Sequence, residues 1–245
     1  MDILTELSLF SGGGGGLLAT QHLLGFKTIC YCEIKKQAQK QLIARIQDGL
    51  LDNAPIYDDV RTFDGRPWKN RVDILTAGFP CQGYSNAGKR LGAEDSRNLW
   101  PDTIRIVNEC GAPWVLLENV SALLTFNYFG RILADLAESR YDVRWECVSA
   151  FDVGAAHLRE RLWIIANAHG GRRVKQAYVK KVQGNRGRNV PDRLPGWKAE
   201  STMVRTAHGL ARGMGQQLES LGDGMVPHAL AEAWFRMVSE KERKK

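Results

Sequence analysis

The chain has 245 residues, 44% of them hydrophobic and 25% charged, with a formal net charge of +7. That is enough apolar material for a real core and excludes a chain disordered throughout, and the length suits one α/β domain with a small appendage. No stretch approaches ~18 uninterrupted apolar residues, and Met1 to Leu7 lacks a basic region followed by a long apolar run, so the expectation is a soluble cytoplasmic protein that is neither exported nor membrane-bound.

In chain order, Leu4 to Leu9 reads as a first strand, Ser11 to Gly16 as a turn, and Leu17 to Leu24 as a helix closed by Gly25. Thr28 to Glu33 is a second strand and Lys35 to Gln47 a helix with Gly49 after it. Ile56 to Val60 reads as a short third strand and Val72 to Ala77 as an apolar, buried fourth. A loop rich in Gly, Ser and Asn follows, carrying Cys81. Leu99 to Asn108 looks helical, Trp114 to Glu118 is a strand, and Phe129 to Ser139 is a helix. Val143 to Ser149 and Leu162 to Ala166 then form a last pair of strands, antiparallel in this reading. Strands alternating with helices at this spacing predict a doubly wound, mostly parallel sheet. From Ala168 to about Gly215 the periodicity is lost, and Val226 to Val238 regains helical spacing, with Pro227 tolerated in the first turn.

Charge is unevenly distributed. Between His169 and Arg205 stand ten basic residues, among them Arg172, Arg173, Lys180 and Lys181, against only Asp192 and Glu200. The segment is +8 and the remainder sums to about −1. A basic segment on a near-neutral body is the footprint of a polyanion binder, although charge alone reads as readily as a solvated loop. The five cysteines, Cys30, Cys32, Cys81, Cys110 and Cys147, are scattered and odd in number, which argues against a disulfide framework and a zinc site, so no metal is expected.

Three constellations carry chemistry. Phe10-Ser11-Gly12 through Gly16 ends the first strand and Glu33 ends the second. Glycines let a backbone approach a ligand closely, and an acid about 20 residues on can bind ribose hydroxyls, so a nucleoside cofactor is implied. The dinucleotide fingerprint is not met, since Leu17 stands where its third glycine would fall, and the loop alone reads equally as a tight turn. Asp59 is a second acid at the same sheet edge, available to an adenine amino group or else a turn former. Glu118-Asn119 ends an apolar strand, where desolvation would raise the carboxyl pKa and let it hold a proton near neutrality; alone, the dipeptide reads first as a helix cap. Arg159 and Arg161, two apart in extended chain, would point to one face and reach one site, unless they merely pair with Glu160. Cys81 sits at a strand's C-terminal end behind the rigid Pro80, with Lys89 and Arg90 near enough to favour the thiolate.

Taken together, these stretches resemble the DNA cytosine-5 methyltransferase family. Phe-Ser-Gly-Gly-Gly-Gly is similar to its cofactor loop, Gly-Phe-Pro-Cys-Gln-Gly-Tyr-Ser-Asn-Ala-Gly to its nucleophile loop and Glu118-Asn119-Val120 to its catalytic carboxylate motif. His157-Leu-Arg-Glu-Arg161 resembles its paired-arginine motif and Leu221-Gly-Asp-Gly-Met-Val-Pro227 its C-terminal signature. Five motifs in the family's order cover most of residues 1 to 167 and 221 to 238. The resemblance implies a Rossmann-like S-adenosylmethionine-dependent fold with a catalytic and cofactor-binding domain over 1–167, a small, irregular basic target-recognition region over 168–220, and a C-terminal helix over 221–245 returning to the catalytic domain. It implies that Cys81 attacks C6 of cytosine, with Glu118 holding the proton at N3, Asn119 positioning it, Arg161 contacting the base O2 and Arg159 supporting nucleophile and carboxylate. S-adenosylmethionine would lie against Phe10, Ser11, Gly12, Gly14, Glu33, Ile34, Asp59, Val60, Gly78, Pro80, Asp223 and Met225. The partner would be double-stranded DNA with its target base flipped out, touched by Gln82, Ser85, Lys89, Arg97 and the basic residues Arg172, Arg173, Lys180 and Lys181. A monomer is expected, with a cognate restriction enzyme as a further partner.

The chain departs from the family pattern twice. Asp223-Gly224 stands where the signature usually has Asn-Ser, and the stretch left for target recognition is short. These departures keep two alternatives open: an RNA enzyme of the tRNA-modifying branch, and a catalytically silent DNA-binding relative. A dinucleotide-dependent oxidoreductase is the remotest alternative.

Overall fold

The computed structural model describes residues 3–80, 98–169 and 224–243, with side chains to residue 238. Seven strands form one sheet: β1 (Thr5–Leu9), β2 (Lys27–Cys32), β3 (Ile56–Tyr57), β4 (Ile74–Ala77), β5 (Trp114–Val120), β6 (Tyr141–Val148) and β7 (Arg161–Ala168). Their spatial order is β3-β2-β1-β4-β5-β7-β6. The first five are parallel to one another, and β7 runs antiparallel to both β5 and β6. The order in which strands are added thus reverses between β1 and β4, so a crevice opens above their C-terminal ends, where open α/β sheets bind ligands.

Period-2 alternation gives the sheet its two apolar faces. Leu75, Ala77, Val115 and Leu117 face one cluster, packed under α3 (Trp100–Cys110) and α4 (Asn127–Glu138). Ile74, Trp114, Leu116 and Trp163 face the other, beneath α5 (Pro227–Arg243), which inserts Ala233 and Trp234. Burying a side chain such as Trp234 fully contributes roughly 2–3 kcal/mol, so α5 is fastened to the domain by its own apolar stripe. Gln47 closes α2 (Lys36–Gln47), whose Leu42 packs with Leu17, Tyr31 and Leu51.

The antiparallel β6–β7 pair and the helices expected around Leu99, Phe129 and Val226 are all present, with ends shifted by one to five residues. The third strand is shorter than its sequence suggests. Only Ile56 and Tyr57 pair with β2, because Asp58 and Asp59 turn away into side-chain bonds. The first helix differs more: α1 opens at Gly15–Leu17 and continues through Leu18–Leu23 in wide π-type turns. Such turns are rare and cluster at functional sites. No described helix is long and apolar enough to cross a membrane.

Candidate active site

A cleft of about 380 Å³ lies at the C-terminal edge of the parallel strands, bounded by the glycine loop, the ends of β2, β4 and β5, the start of β7, and the residues leading into α5. On its first side the loop after β1 reverses sharply. Phe10 adopts φ +53°, and Gly12 and Gly14 adopt +55° and +94°, left-handed values at which glycine carries no steric cost. Glu33, buried just past β2, closes this side: its Oε2 accepts from the Gly12 N–H at 2.7 Å and its Oε1 from the Lys35 N–H at 2.7 Å. The carboxylate therefore fixes the glycine loop against β2 while lining the cleft.

The opposite side is built by charge. Glu118, near the end of β5, pairs through Oε1 with Arg161 Nε at 3.0 Å, both side chains being largely buried at 15% and 23% exposure. Burial pushes the Glu118 carboxyl above its usual range, while Arg161 and Arg159 pull it back only in part. Arg159, just before β7, holds a φ of +24°, a strained value for a residue with a Cβ, and its guanidinium donates to the Gly224 carbonyl ahead of α5. Asn119 is buried on the next position of β5. Its Nδ2 donates to the Phe79 carbonyl at 3.2 Å and its Oδ1 accepts from the Val120 N–H at 2.8 Å. It pins the chain two residues ahead of Cys81 and does not bond Glu118.

Met225 joins the two sides. A Cβ placed on Gly15 would stand 2.9 Å from the Met225 carbonyl oxygen, and one on Gly16 would stand 2.8 Å from its Sδ. The glycine run therefore serves close packing of the C-terminal segment as well as ligand approach.

The structure brings together Phe10, Ser11, Gly12, Glu33, Ile34, Gly78, Pro80, Glu118, Asn119, Arg159, Arg161 and Met225 around this cleft. It leaves three expected cofactor residues out of the lining. Gly14 turns toward Leu42 and Leu51. Val60 is buried in the core. The Asp59 carboxylate is engaged by Arg61, whose Nη2 lies at 2.6 Å and whose N–H lies at 2.9 Å, and it lines a neighbouring aromatic cleft with Tyr57, Phe63 and Trp68. Cys81, Asp223 and all the expected DNA contacts (Gln82, Ser85, Lys89, Arg97, Arg172, Arg173, Lys180 and Lys181) lie outside the described residues, as does nearly all of 168–220.

Burial raises the thiol pKa of each described cysteine, to about 12 for Cys32 and about 11 for Cys110, and upward also for Cys30 and Cys147. None of these is a thiolate near neutrality. Among the described residues no group of His, Cys, Asp and Glu side chains is arranged to hold a metal.

This arrangement has relatives. The family model for C-5 cytosine-specific DNA methylase matches residues 4–207. The chain belongs to that family. Type II methyltransferase M.NgoMIV of Neisseria gonorrhoeae is 34% identical over 165 residues, covering 66% of this chain and 51% of the relative. Type II methyltransferase M.Eco47II of Escherichia coli is 34% identical over 176 residues, covering 67% and 40%. The chain thus spans about half the length, or less, of these curated relatives. Among solved structures, a prophage-encoded DNA modification methyltransferase candidate from E. coli superposes with a TM-score of 0.55 at 27% identity, covering 67% of this chain and 47% of that one. Spodoptera frugiperda DNMT2 shares the fold with a TM-score of 0.54 at 20% identity, covering 67% and 50%.

Proposed function

We propose that the protein transfers a methyl group from S-adenosylmethionine to C5 of cytosine in double-stranded DNA. The observation that carries this reading is one cleft holding both a glycine loop latched to an acid, Gly12 to Glu33, and a buried carboxyl flanked by two arginines, Glu118 with Arg161 and Arg159. The first half suits a nucleoside donor, and the second suits a base that must be protonated as it is attacked.

The donor fits the residues present. The cleft's volume is in the range that holds a ligand of that size, its floor is glycine backbone, and Glu33 keeps lone pairs beyond those used by Gly12 and Lys35 for ribose hydroxyls. When bound, the donor supplies an electrophilic methyl group. The protein's own residues prepare the acceptor. Cytosine C5 is a weak nucleophile; attack on C6 by the Cys81 thiolate makes it enamine-like, as Glu118 protonates N3 and absorbs the charge moving into the ring. Arg161 pairs with Glu118 and steadies it, and in this reading also holds the base O2. Loss of the C5 proton to a base, of Cys81 from C6 and of the N3 proton back to Glu118 restores aromaticity and frees the enzyme. Neither Cys81 nor Glu118 can reach a stacked base, so the target must leave the helix.

Asn119 has a defined part in this scheme. It fixes the Phe79 carbonyl and so holds the chain that leads through Pro80 toward the nucleophile loop. Residues 168–220 are rich in Arg and Lys, a composition suited to the phosphate backbone.

The test is incubation with methyl-labelled S-adenosylmethionine and either unmodified genomic DNA or tRNA, followed by base-resolution sequencing of the labelled product. Incorporation into DNA as 5-methylcytosine in a short defined context is the expected result. Incorporation into tRNA alone would move the substrate to RNA. No incorporation into either, from folded protein that still binds DNA, would establish the silent relative.

A further inference from the structure

Beneath the glycine loop lies a buried acid that the transfer reaction does not use. Glu6 of β1 is 0% exposed and borders the cleft with Ser8, Thr20 and Thr76. Three threonine hydroxyls from three elements converge on it. Thr20 of α1 lies 2.8 Å and Thr28 of β2 lies 2.6 Å from Oε2, and Thr76 of β4 lies 2.7 Å from Oε1. The β1–β2 register slips between Glu6 and Leu7, so the carboxyl sits at an irregularity in otherwise regular pairing. Such irregularities are found beside functional sites.

The three partners belong to the elements that carry the donor side of the cleft. Thr20 lies on the helix that continues the glycine loop. Thr28 lies on the strand that ends at Glu33, and Thr76 on the strand that runs into Gly78 and Pro80. We infer that Glu6 is a positioning residue for donor binding, tying α1, β2 and β4 into one register as a neutral carboxylic acid. This rests on the reading of the cleft as the donor site.

The hydrogen-bond inventory agrees with the neutral form. Thr28 Oγ1 accepts from Gln21 Nε2 at 2.7 Å and so gives its own proton to Glu6. Thr76 gives its proton to Oε1. Thr20 Oγ1 also lies 3.3 Å from the Leu17 carbonyl, so a Glu6 O–H donating to Thr20 lets Thr20 donate onward, and every group is satisfied. The groups facing Glu6 bring no compensating charge: α1 offers Thr20 and Gln21, β2 offers Thr28, β4 offers Thr76, and the terminal helix contributes Leu230 to the same cleft. The ionisable groups nearby are Asp52, which repels a negative Glu6, and Tyr31, which is bonded to Gln21. Burial without a cation favours the proton-bearing acid. Because the folded-state pKa is raised, the tie is intact below it and loosens as the pH rises through it.

The experiment is titration calorimetry of the full chain with S-adenosylhomocysteine, the stable transfer product, between pH 6.5 and 9, using wild type, Glu6→Leu and Glu6→Gln, each checked for folding by circular dichroism. Glu6→Leu, which removes the hydrogen bonds but keeps the volume, is expected to weaken binding about tenfold or more at pH 6.5. Glu6→Gln, uncharged and nearly isosteric, is expected to recover most of that loss. Folded Glu6→Leu with wild-type affinity would overturn the inference, as would a folded Glu6→Gln that recovers none of the loss. If wild type itself does not bind S-adenosylhomocysteine, the donor-site reading fails rather than the role of Glu6 within it.

Discussion

The two sides of the cleft hold their carboxylates by opposite means. Glu33 is fixed by two backbone N–H groups and stands among glycines, whereas Glu118 is fixed by a side-chain cation and flanked by a second. Backbone donors give geometry without mobile charge, which suits a group that must recognise neutral hydroxyls in one place. A buried acid beside arginines has its proton affinity balanced between desolvation and attraction, which suits a group that must give up and regain a proton. The donor side is therefore a shape and the reacting side an electrostatic balance. Substitutions should separate the two.

The largest separation is expected at Glu118. Glu118→Gln keeps the volume but removes the transferable proton, and should slow transfer by roughly 10²- to 10⁴-fold while leaving the donor dissociation constant nearly unchanged; steady-state kinetics with equilibrium binding check both. Arg161→Ala should cost roughly 10²-fold in transfer through loss of a donor to the base. It should also shift the pH profile in a definite direction. Arg161 lowers the Glu118 pKa, so its removal lets Glu118 keep its proton to higher pH, and the alkaline fall in rate should begin later. A limb that moves to lower pH would contradict the assignment of Glu118 as the acid. On the donor side, Glu33→Gln can accept only one of the two N–H bonds, and should raise the donor dissociation constant by about tenfold with little change in turnover at saturation. Asn119→Ala should have the smallest effect on chemistry but a visible one on stability. It leaves the Phe79 carbonyl without its side-chain partner, and about 1–3 kcal/mol of unfolding free energy should be lost in chemical denaturation.

The same contrast decides what could be read without a structure. The strand alternation from Leu4 to Ala166 follows from apolar runs punctuated by glycine, and those signals are local. Glu33 and Glu118 are legible because each ends such a run, which places both on one edge. Asp59 satisfied the same rule, yet Arg61 two residues later captures its carboxylate, a competition that a strand-end rule cannot register. Asn119 was legible as a site residue but its partner was not, since the bond to Phe79 spans 40 positions. Glu6 left no signal. In sequence it is a polar residue inside a short strand, and its meaning comes only when Thr20, Thr28 and Thr76 converge on it from three elements. The π-type turns of α1 are equally silent, because Leu18 to Leu23 carries ordinary helix formers. Met225 stood out only through the resemblance, and the close fit against Gly15 and Gly16 supplies its physical reason.

The most direct test of the central claim, that this cleft methylates cytosine through a covalent bond from Cys81, is mechanism-based trapping. Kilobase-length duplex DNA of mixed sequence, synthesised with 5-fluorocytosine, would be incubated with the protein and S-adenosylmethionine, digested with nuclease and analysed by intact-mass spectrometry. Fluorine at C5 cannot leave as a proton does, so the account predicts a stable protein–nucleotide adduct on the Cys81 peptide that forms with wild type and is absent from Cys81→Ser. No adduct from wild-type protein that binds both donor and duplex, or an adduct that persists in Cys81→Ser, would contradict it.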